Sequence, residues 1–408
     1  MTSLADVTSP MAVLPPEGAR RLLAAADPSL ATHRATFGPM PVPLDLVRLL
    51  DSAGLTGRGG AGFPTARKLR SVAERGHGVV VANGSEGEPA SAKDRTLLMH
   101  APHLVLDGLA LVAAAVGARS TYLVTARADV AARVRAAAQE RGDRRPVRVA
   151  AVVDRFVSGE ESAVVNRLNG RPGVPSDRMV RVYERGVKGR PTVVSNVETL
   201  AHVALVARWG PDWFREVGTD EQPGTFLASV SGATASPGVY ELPYGTSLGQ
   251  TLRSSGARPG DLQAVLVGGF HGAWIPAHDL EQVRLTRSDL QPYNASVGAG
   301  VLVLLGHDRC GLVESAGIAR YLAGQVAGQC GPCINGLPRM ADALTALARS
   351  HARPGLVEEV HRLRGLVAGR GACSHPDGTA RFVASAMRVF ADEVDVHLGG
   401  GCSVAAAR

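Results

Sequence analysis

A glycine-rich stretch near residue 60 is the first part of the chain whose residue types suit ligand binding: Gly57-Arg58-Gly59-Gly60-Ala61-Gly62-Phe63-Pro64-Thr65. Glycine lets the backbone approach a ligand closely. Successive N–H groups that point to one spot bind anions, above all phosphate. Lys68 follows three residues later and adds a positive charge. We therefore predict a phosphate-binding loop.

The spacing of these glycines also fits the G-x-G-x-x-G dinucleotide pattern, but its setting does not. That pattern follows a strand and opens a helix. Here residues 46–55 have the pattern of a helix that ends at Gly54. The loop is therefore predicted to bind phosphate outside the usual dinucleotide-binding arrangement; a plain surface loop is the alternative.

Residues 79–153 alternate between predicted strands and helices. The strands are predicted at 79–82, 121–125 and 147–153, and the helices at 103–116 and 128–142. This β-α-β-α-β order is typical of a parallel sheet in a three-layer α/β domain. Ligands in such sheets bind beyond the carboxyl ends of the strands.

Polar turns follow these strands. The first is Asn83-Gly84-Ser85-Glu86-Gly87-Glu88-Pro89 with Lys93-Asp94-Arg95 after it, and another is residues 156–162 with Glu160 and Glu161. Ser195 and Asn196 lie where a later strand leads into a helix, and Asn196 could cap that helix or bind a ligand. The carboxylates could line a cofactor site or form a solvated acidic face.

The remainder of the chain divides into two further regions. Residues 222–305 have short strands separated by Gly-rich turns, with one helix, and are predicted to form a small α+β module. From residue 306 the pattern is helical, with four predicted helices at 311–323, 332–347, 356–367 and 379–398. Residues 1–45 are predicted to form an irregular arm with one short helix at 19–26, and 401–408 a tail.

Three cysteines near the carboxyl end have the types of a metal or cluster site: Cys330, Cys333 and Cys373. An Fe–S cluster normally takes four thiolates. Zinc would accept three thiolates and a histidine, and His375 is nearby. Buried thiols without a metal, or a redox pair, are the remaining alternatives. Cys310 is predicted to be a core cysteine and Cys402 to belong to a mobile tail.

Composition excludes several classes of function. The 44 Lys and Arg residues are scattered and give a net charge of +7 without a basic stripe, so nucleic-acid binding is not expected. No apolar run reaches the roughly 20 residues that span a bilayer, and no secretory signal is recognisable. We expect a cytoplasmic protein without direct membrane insertion, which could lie at the periphery of a membrane complex.

Together these motifs resemble those of the NADH-oxidising flavoprotein subunit of respiratory complex I and of related diaphorase subunits of NAD-linked hydrogenases and formate dehydrogenases. The resemblance runs from about Leu46 to Leu398 and rests on GRGGAGFPT, N-x-x-E-x-EP with KDR, GEES, PTVVSNVETL and C-x-x-C with a distant Cys. It implies a Rossmann-like flavin domain (46–221), a β-grasp, or soluble ligand-binding, module (222–305) and a four-helix bundle (306–400). It also implies FMN, NADH or NADPH, and one [4Fe–4S] cluster.

The resemblance assigns roles to individual residues. Gly57, Arg58, Gly59, Gly60 and Lys68 match the flavin-phosphate loop. Asn83, Glu86, Ser195 and Asn196 match residues around FMN, and Glu160 and Glu161 match the acidic pair at the flavin and nicotinamide sites. Phe63 matches an aromatic residue beside the NADH adenine, Glu88 a neighbour of the dinucleotide, and Cys330, Cys333 and Cys373 the cluster ligands.

Four departures stand beside these matches. Ala327 occupies the position of the first cluster cysteine, Ser85 that of an Asp, and Phe156 that of a Tyr. The segment Arg178–Val182 replaces a Lys-Pro-Pro-aromatic-Pro segment that covers NADH, although Arg178 keeps a positive charge.

Two functions remain open at this point. The first is a flavin-dependent NAD(P)H oxidoreductase that passes electrons to a ferredoxin or another Fe–S partner. The second is a non-catalytic scaffold, or an NADH-independent electron-transfer subunit, that retains the fold.

Overall fold

The computed structural model describes residues 20–143, 146–177, 179–349 and 353–406. The first part of the chain contains a four-stranded parallel sheet in the order β3-β2-β1-β4. In chain order its elements are α1 (Leu30–Phe37), α2 (Leu46–Ala53), α3 (Thr65–Ala73), β1 (Val79–Asn83), α4 (Lys93–His100), α5 (Pro102–Ala115), β2 (Ser120–Thr125), α6 (Ala128–Arg141), β3 (Arg148–Ala151), α7 (Glu161–Leu168), β4 (Thr192–Asn196) and α8 (Val197–Arg215).

The two faces of this sheet are buried in different apolar clusters because successive side chains of a strand point to opposite sides. Val80 and Ala82 of β1 belong to a large cluster with residues of α2, α5 and α8. Val79 and Val81 face a smaller cluster that includes Val164 and Val165 of α7. The predicted parallel α/β arrangement is confirmed, and all three predicted strands lie in this sheet.

The second part contains a five-stranded mixed sheet in the order β6-β5-β9-β7-β8. Only the pairing of β5 with β9 is parallel. Its elements are β5 (Thr225–Gly232), β6 (Gly238–Pro243), α9 (Leu248–Ser254), β7 (Leu262–Val267), β8 (Ala273–Pro276), α10 (Arg287–Leu290) and β9 (Val301–Gly306).

The third part is helical and packs on one face of the mixed sheet. It consists of α11 (Gly311–Gly324), a π-helical turn (Pro332–Gly336), α12 (Leu337–Ala348), α13 (Leu356–Val367), α14 (His375–Val389), α15 (Ala391–Leu398) and α16 (Ser403–Ala406). Leu266, Val303 and Leu305 of the sheet are buried in the same cluster as Leu312 and Leu344 of the helices.

Two sequence predictions about helices are wrong. Residues 20–26 are not helical, because the N–H groups of Arg21, Leu22 and Leu23 donate to the buried carboxylate of Glu241 instead of to helical carbonyls. The predicted helix 379–398 is interrupted at Phe390, which separates α14 from α15. The ring of Phe390 lies 5.4 Å from that of Trp274, and this contact holds the break in the core.

No single helix of the described residues is both long enough and apolar enough to cross a membrane. The pair α4 and α5 meets the length and composition criteria together, but the two helices meet at a bend of 96°.

Candidate functional site

The carboxyl ends of β1 and β4 meet at the edge of the parallel sheet where the sequence predicts a ligand. Asn83 and Asn196 are the last residues of the two strands and lie opposite each other in the register. The glycine loop lies against this edge, since a Cβ at Gly59 would be 3.2 Å from the Cβ of Asn196. A larger side chain there would push the loop away from the strand ends.

The glycine loop closes through a hydrogen bond of 2.8 Å from the N–H of Gly57 to the carbonyl of Phe63. Gly60 and Gly62 have φ values of 105° and 60°, which favour glycine. Among the described residues, none accepts a hydrogen bond from the N–H groups of residues 59–62. These donors are therefore available to an anion, as a phosphate-binding loop requires.

Arg58 holds the loop in place from within the protein. Its backbone N–H donates to the hydroxyl of Thr199 over 2.8 Å. Its buried guanidinium donates to the carbonyls of Thr225 at 3.2 Å and Pro223 at 3.1 Å, and it lies over the ring of Tyr244. The side chain thus ties the loop to the mixed sheet, and its donors are already in use.

Lys68 places its charge beside the end of β4. Its Nζ donates to the carbonyl of Val194 at 2.9 Å and lies 3.3 Å from Glu161 Oε2. The Lys68 side chain is 25% exposed, so it also faces the cleft. It connects α3, the strand end and the start of α7 at one point.

The turns after β1 and β3 touch each other. Asn83 Nδ2 donates to the carbonyl of Gly159 over 2.8 Å, and Ser85 Oγ donates to Asn83 Oδ1 over 2.7 Å. A Cβ on Gly87 would lie 2.4 Å from the carbonyl oxygen of Arg155, so only glycine fits there. Ser85, in the position of an Asp, is therefore part of the contact between the two turns.

Glu86 and Glu88 belong to the β1 turn, and both have shifted carboxyl groups. Burial, with a smaller contribution from Asp94, raises the pKa of Glu86 to about 7. Its carboxylate accepts from the N–H groups of Asp94 and Arg95 at the start of α4. Burial also raises the pKa of Glu88 to about 7, and Glu88 Oε2 accepts from the N–H of Phe270. Glu88 Oε1 is buried without a hydrogen-bond partner.

Glu160 and Glu161 have different roles, although the sequence presents them as a pair. Glu160 is the N-cap of α7, with its carboxylate accepting from the N–H groups of Ser162 at 2.8 Å and Ala163 at 3.0 Å. Glu161 is in the first turn of that helix and pairs with Lys68. Glu161 is therefore the acidic residue of the pair that faces the glycine loop region.

A buried ionic network under the cleft was missed from the sequence. Lys93 Nζ donates to Asp94 Oδ1 at 2.7 Å and to Glu198 Oε2 at 2.8 Å, and Asn196 Nδ2 donates to Asp94 Oδ2 at 2.7 Å. Burial would lower the pKa of Lys93, but the two carboxylates raise it above its usual value. The KDR run and the Glu of VSNVETL carried the signal, since such charges so close to apolar runs need partners.

Two other predicted positions lie at the rim or below it. Phe63 is 43% exposed, with Arg67 over its ring, and Ser195 is buried in β4 beside Asn196. Of the segment 178–182, which replaces the segment that would cover NADH, Arg178 lies outside the described residues. Met179 and Val180 are exposed apolar side chains there.

The three predicted ligand cysteines come together in one pocket of about 300 Å³. Cys330, Cys333 and Cys373 line it, and Ala327, which has no ligand atom, occupies part of the wall. Burial raises the pKa of Cys333 to about 12, with further contributions from Cys373 and Cys330. Three thiols that must each lose a proton are thus gathered where a metal cluster would supply the positive charge.

His375 also lines this pocket, but its ring nitrogens are engaged elsewhere. Nε2 lies 2.9 Å from the carbonyl of Leu322 and Nδ1 lies 3.1 Å from Nε2 of His271. Phe156 packs on His271 with ring centroids 4.5 Å apart. A zinc site of three thiolates and this histidine would have to break one of these contacts, so the arrangement favours a cluster.

Comparisons with known proteins agree with this geometry. A model of the Nuo51 FMN-binding domain matches residues 50–205, and a model of the NADH-ubiquinone oxidoreductase-F iron-sulfur binding region matches residues 314–397. An NADH-quinone oxidoreductase-F protein of Rhizobium meliloti (strain 1021), the second of that type by its name, is 30% identical over 87% of this chain and 89% of its own length. The chain belongs to the NADH-quinone oxidoreductase-F family.

Other members of the oxidoreductase-F family show a similar degree of likeness. The protein of Escherichia coli (strain K12) is 29% identical over 86% of this chain and 84% of its own length. Among solved structures, an NAD⁺-reducing [NiFe]-hydrogenase in the H2-reduced state superposes with a TM-score of 0.80 at 30% identity. That match covers 88% of this chain, but this chain spans only 63% of the hydrogenase chain.

The two matched regions coincide with the two halves of the candidate site. Residues 50–205 contain the glycine loop and the polar turns of the cleft, and residues 314–397 contain the three pocket cysteines. Cys310 and Cys402 lie outside both matched regions. They lie near each other, away from this pocket, and so offer no fourth thiolate to it.

Proposed function

We propose that this chain is the flavin-dependent, NADH-oxidising subunit of an electron-transfer complex and passes electrons from NADH through FMN to an Fe–S centre. The observation that carries the proposal is a shared segment. Val157 lines the cysteine pocket, and Asn83 at the end of β1 bonds to Gly159 two residues further on. One turn therefore connects the cleft to the cysteines, as short-range electron transfer would require.

FMN fits the cleft on the chemistry of the donors present. The N–H groups of residues 59–62, with Lys68 nearby, would hold the phosphate. Asn83 and Asn196 would orient the flavin from the strand ends, and Glu161 would lie beside it. The full proposed set is Gly57, Arg58, Gly59, Gly60, Phe63, Lys68, Asn83, Glu86, Glu88, Glu160, Glu161, Ser195 and Asn196.

When bound, FMN accepts a hydride from NADH or NADPH and releases the electrons singly. The residues of this chain bind and orient the two cofactors. Arg58 and the Lys93 network keep the loop and the strand ends fixed, because their charges are paired inside the protein. Glu160 fixes the start of α7, so that Glu161 faces Lys68. Such preorganised positioning is the main contribution that a protein makes to cofactor chemistry.

The pocket of three cysteines fits an Fe–S cluster with three thiolate ligands. Cys330, Cys333 and Cys373 would hold it. Ala327 supplies no ligand, so a fourth coordination position would be filled by a group other than a cysteine of this pocket. The proposed receiving partner is a ferredoxin or another protein that carries an Fe–S centre, and we propose a location at the periphery of a membrane complex.

We propose the same three-part division that the sequence indicates. Residues 46–221 form a Rossmann-like flavin and NADH domain, residues 222–305 a β-grasp module and residues 306–400 a helical bundle. The mixed sheet with α9 on one face supports the β-grasp assignment. The residues before 46 extend the first domain, since Leu22 and Phe37 are buried in its core.

The decisive measurement is an absorption spectrum with iron analysis of anaerobically prepared protein, before and after NADH. A visible flavin band that bleaches with NADH is expected, at about one FMN per chain. Protein that stays colourless after FMN is added would contradict the proposal. Bound flavin that neither NADH nor NADPH bleaches would favour an NADH-independent subunit.

A further inference from the structure

A second group of metal-ligating side chains lies at the opposite end of α11 from the cysteine pocket. It consists of Cys310, Glu393, His397 and Cys402, and one ligand atom of each lies within 4.8 Å of the others. Cys310 and His397 are buried, and Glu393 and Cys402 are half-buried. The sequence predicts a core cysteine and a mobile tail cysteine; the second of these predictions is wrong, because the chain after α15 returns to Cys310.

We propose that these four residues bind a Zn²⁺ ion. Two thiolates, an imidazole and a carboxylate are all ligand types that zinc takes in proteins, and four of them complete a tetrahedral site. Such a site binds a redox-inactive ion, so it would have no part in electron transfer.

The distances within the group match the edges of a zinc tetrahedron. Usual zinc bond lengths place S and N ligands about 3.5 Å apart, and N and O ligands about 3.3 Å apart. Cys310 Sγ lies 3.5 Å from His397 Nε2 and 3.5 Å from Glu393 Oε1, and Glu393 Oε1 lies 3.0 Å from His397 Nε2. The side chains therefore need little movement to enclose an ion.

The outer contacts also suit a metal site. His397 Nδ1 lies 3.1 Å from the carbonyl of Leu347, to which its N–H can donate, and this leaves the Nε2 lone pair for a metal. Metal-bound histidines are usually held in this way. Glu393 Oε1 accepts from the N–H of Ser403, which fixes the carboxylate. The Cys310 thiol is held at the N-cap position of α11, so its Sγ has a defined place before any ion binds.

The proposed ion would join three parts of the chain. Cys310 lies between β9 and α11, Glu393 and His397 are one turn apart on α15, and Cys402 lies in the segment that follows. A 14-residue helix is about 20 Å long, so the zinc site lies well apart from the cysteine pocket at the other end of α11. Zinc would fasten the carboxyl-terminal segment to the helical region.

The test measures zinc and iron per chain in the full-length protein, prepared anaerobically, for the wild type and for matched variants at each site. The wild type is expected to hold about one zinc in addition to its iron. Cys402→Ser should lose the zinc and keep the iron and flavin, and Cys333→Ser should lose the iron and keep the zinc. His397→Gln should repeat the Cys402→Ser pattern, which guards against a folding defect in one variant.

Cobalt provides an independent readout. Zinc-depleted wild type loaded with Co²⁺ should develop the thiolate-to-cobalt band of a tetrahedral site, and Cys402→Ser should not. The proposal is overturned if wild-type protein holds no zinc and takes up no cobalt, or if a Cys310–Cys402 disulfide is found. Retention of zinc in Cys402→Ser, or its loss in Cys333→Ser, would place the metal elsewhere and overturn it equally.

Discussion

The cleft beside β1 and β4 and the pocket of three cysteines prepare for a cofactor in opposite ways. In the cleft the charged side chains already have partners: Lys93 with Asp94 and Glu198, and Glu160 with the N-terminus of α7. In the pocket three thiols converge, and burial raises the pKa of Cys333 to about 12. The cleft is thus built by the protein alone, whereas the pocket is completed only by the metal it binds.

This difference explains why the departures from the family have unequal consequences. Ser85, in the position of an Asp, still bonds to Asn83, and Phe156, in the position of a Tyr, packs against His271. Both substitutions leave the turn contacts intact. Ala327 removes a ligand outright, and the described residues around the pocket supply no other cysteine. We expect the two regions to respond differently to mutation.

The largest effect is expected at the pocket. Cys333→Ser should remove nearly all bound iron and its visible absorbance and leave the flavin content unchanged, because a cluster with two remaining thiolates is not retained. Iron analysis and the electron paramagnetic resonance spectrum of reduced protein check this. Equal iron in the variant and the wild type would show that the cluster is held elsewhere.

The reverse substitution sharpens the same point. Ala327→Cys adds a thiol to the wall of the pocket and should give a cluster with four thiolates. The expected result is a higher iron content after exposure to air than in the wild type. Met179→Cys, at an exposed position outside the pocket, is the matched control for an added thiol. A gain in both variants would contradict the assignment.

The next largest effect concerns the network under the cleft. Lys93→Met leaves two buried carboxylates without their cation and should lower the free energy of unfolding by about 3–5 kcal/mol. Arg95→Ala, two residues away, breaks a partly exposed pair with Asp129 and should cost less than about 1 kcal/mol. Denaturant unfolding of both variants measures the difference. Similar losses would show that the network contributes little to the cleft.

A pH dependence follows from Glu88. Its folded pKa of about 7 lies above its ordinary value of 4.5, so its contribution to stability is present below pH 4.5 and is lost as the pH rises through 7. The loss for one such group is at most about 3 kcal/mol. Glu88→Gln should flatten this part of the stability profile, measured by denaturant unfolding from pH 4.5 to about 8. An unchanged profile would contradict the shifted pKa.

The smallest effect is expected at the phosphate loop. Lys68→Ala should weaken FMN binding on the order of tenfold, because one charged contact of several is lost. Fluorescence titration of flavin-depleted protein checks this. Arg70→Ala removes a cation from the same helix that pairs with Asp51 at the surface and should leave the affinity unchanged. Unchanged binding in Lys68→Ala would place the phosphate elsewhere.

Much of the parallel sheet could be predicted because its signals are local. The strands 79–82 and 121–125 are short runs of apolar residues between helices, and a parallel sheet buries such runs on both faces. The wrong predictions had non-local causes. Residues 20–26 have helical composition, but their N–H groups are taken by Glu241, 220 positions after Arg21. The break at Phe390 likewise depends on Trp274.

The sequence by itself determined the glycine loop, the polar turns and the three cysteines as a set, because each depends on residue types at short spacing. Only the tertiary structure decided which donors remain available in the loop. It showed that Arg58 is bound to carbonyls while the N–H groups of residues 59–62 have no acceptors among the described residues. It also brought Cys402 to Cys310, since contacts between distant positions depend on how helices pack and not on local pattern.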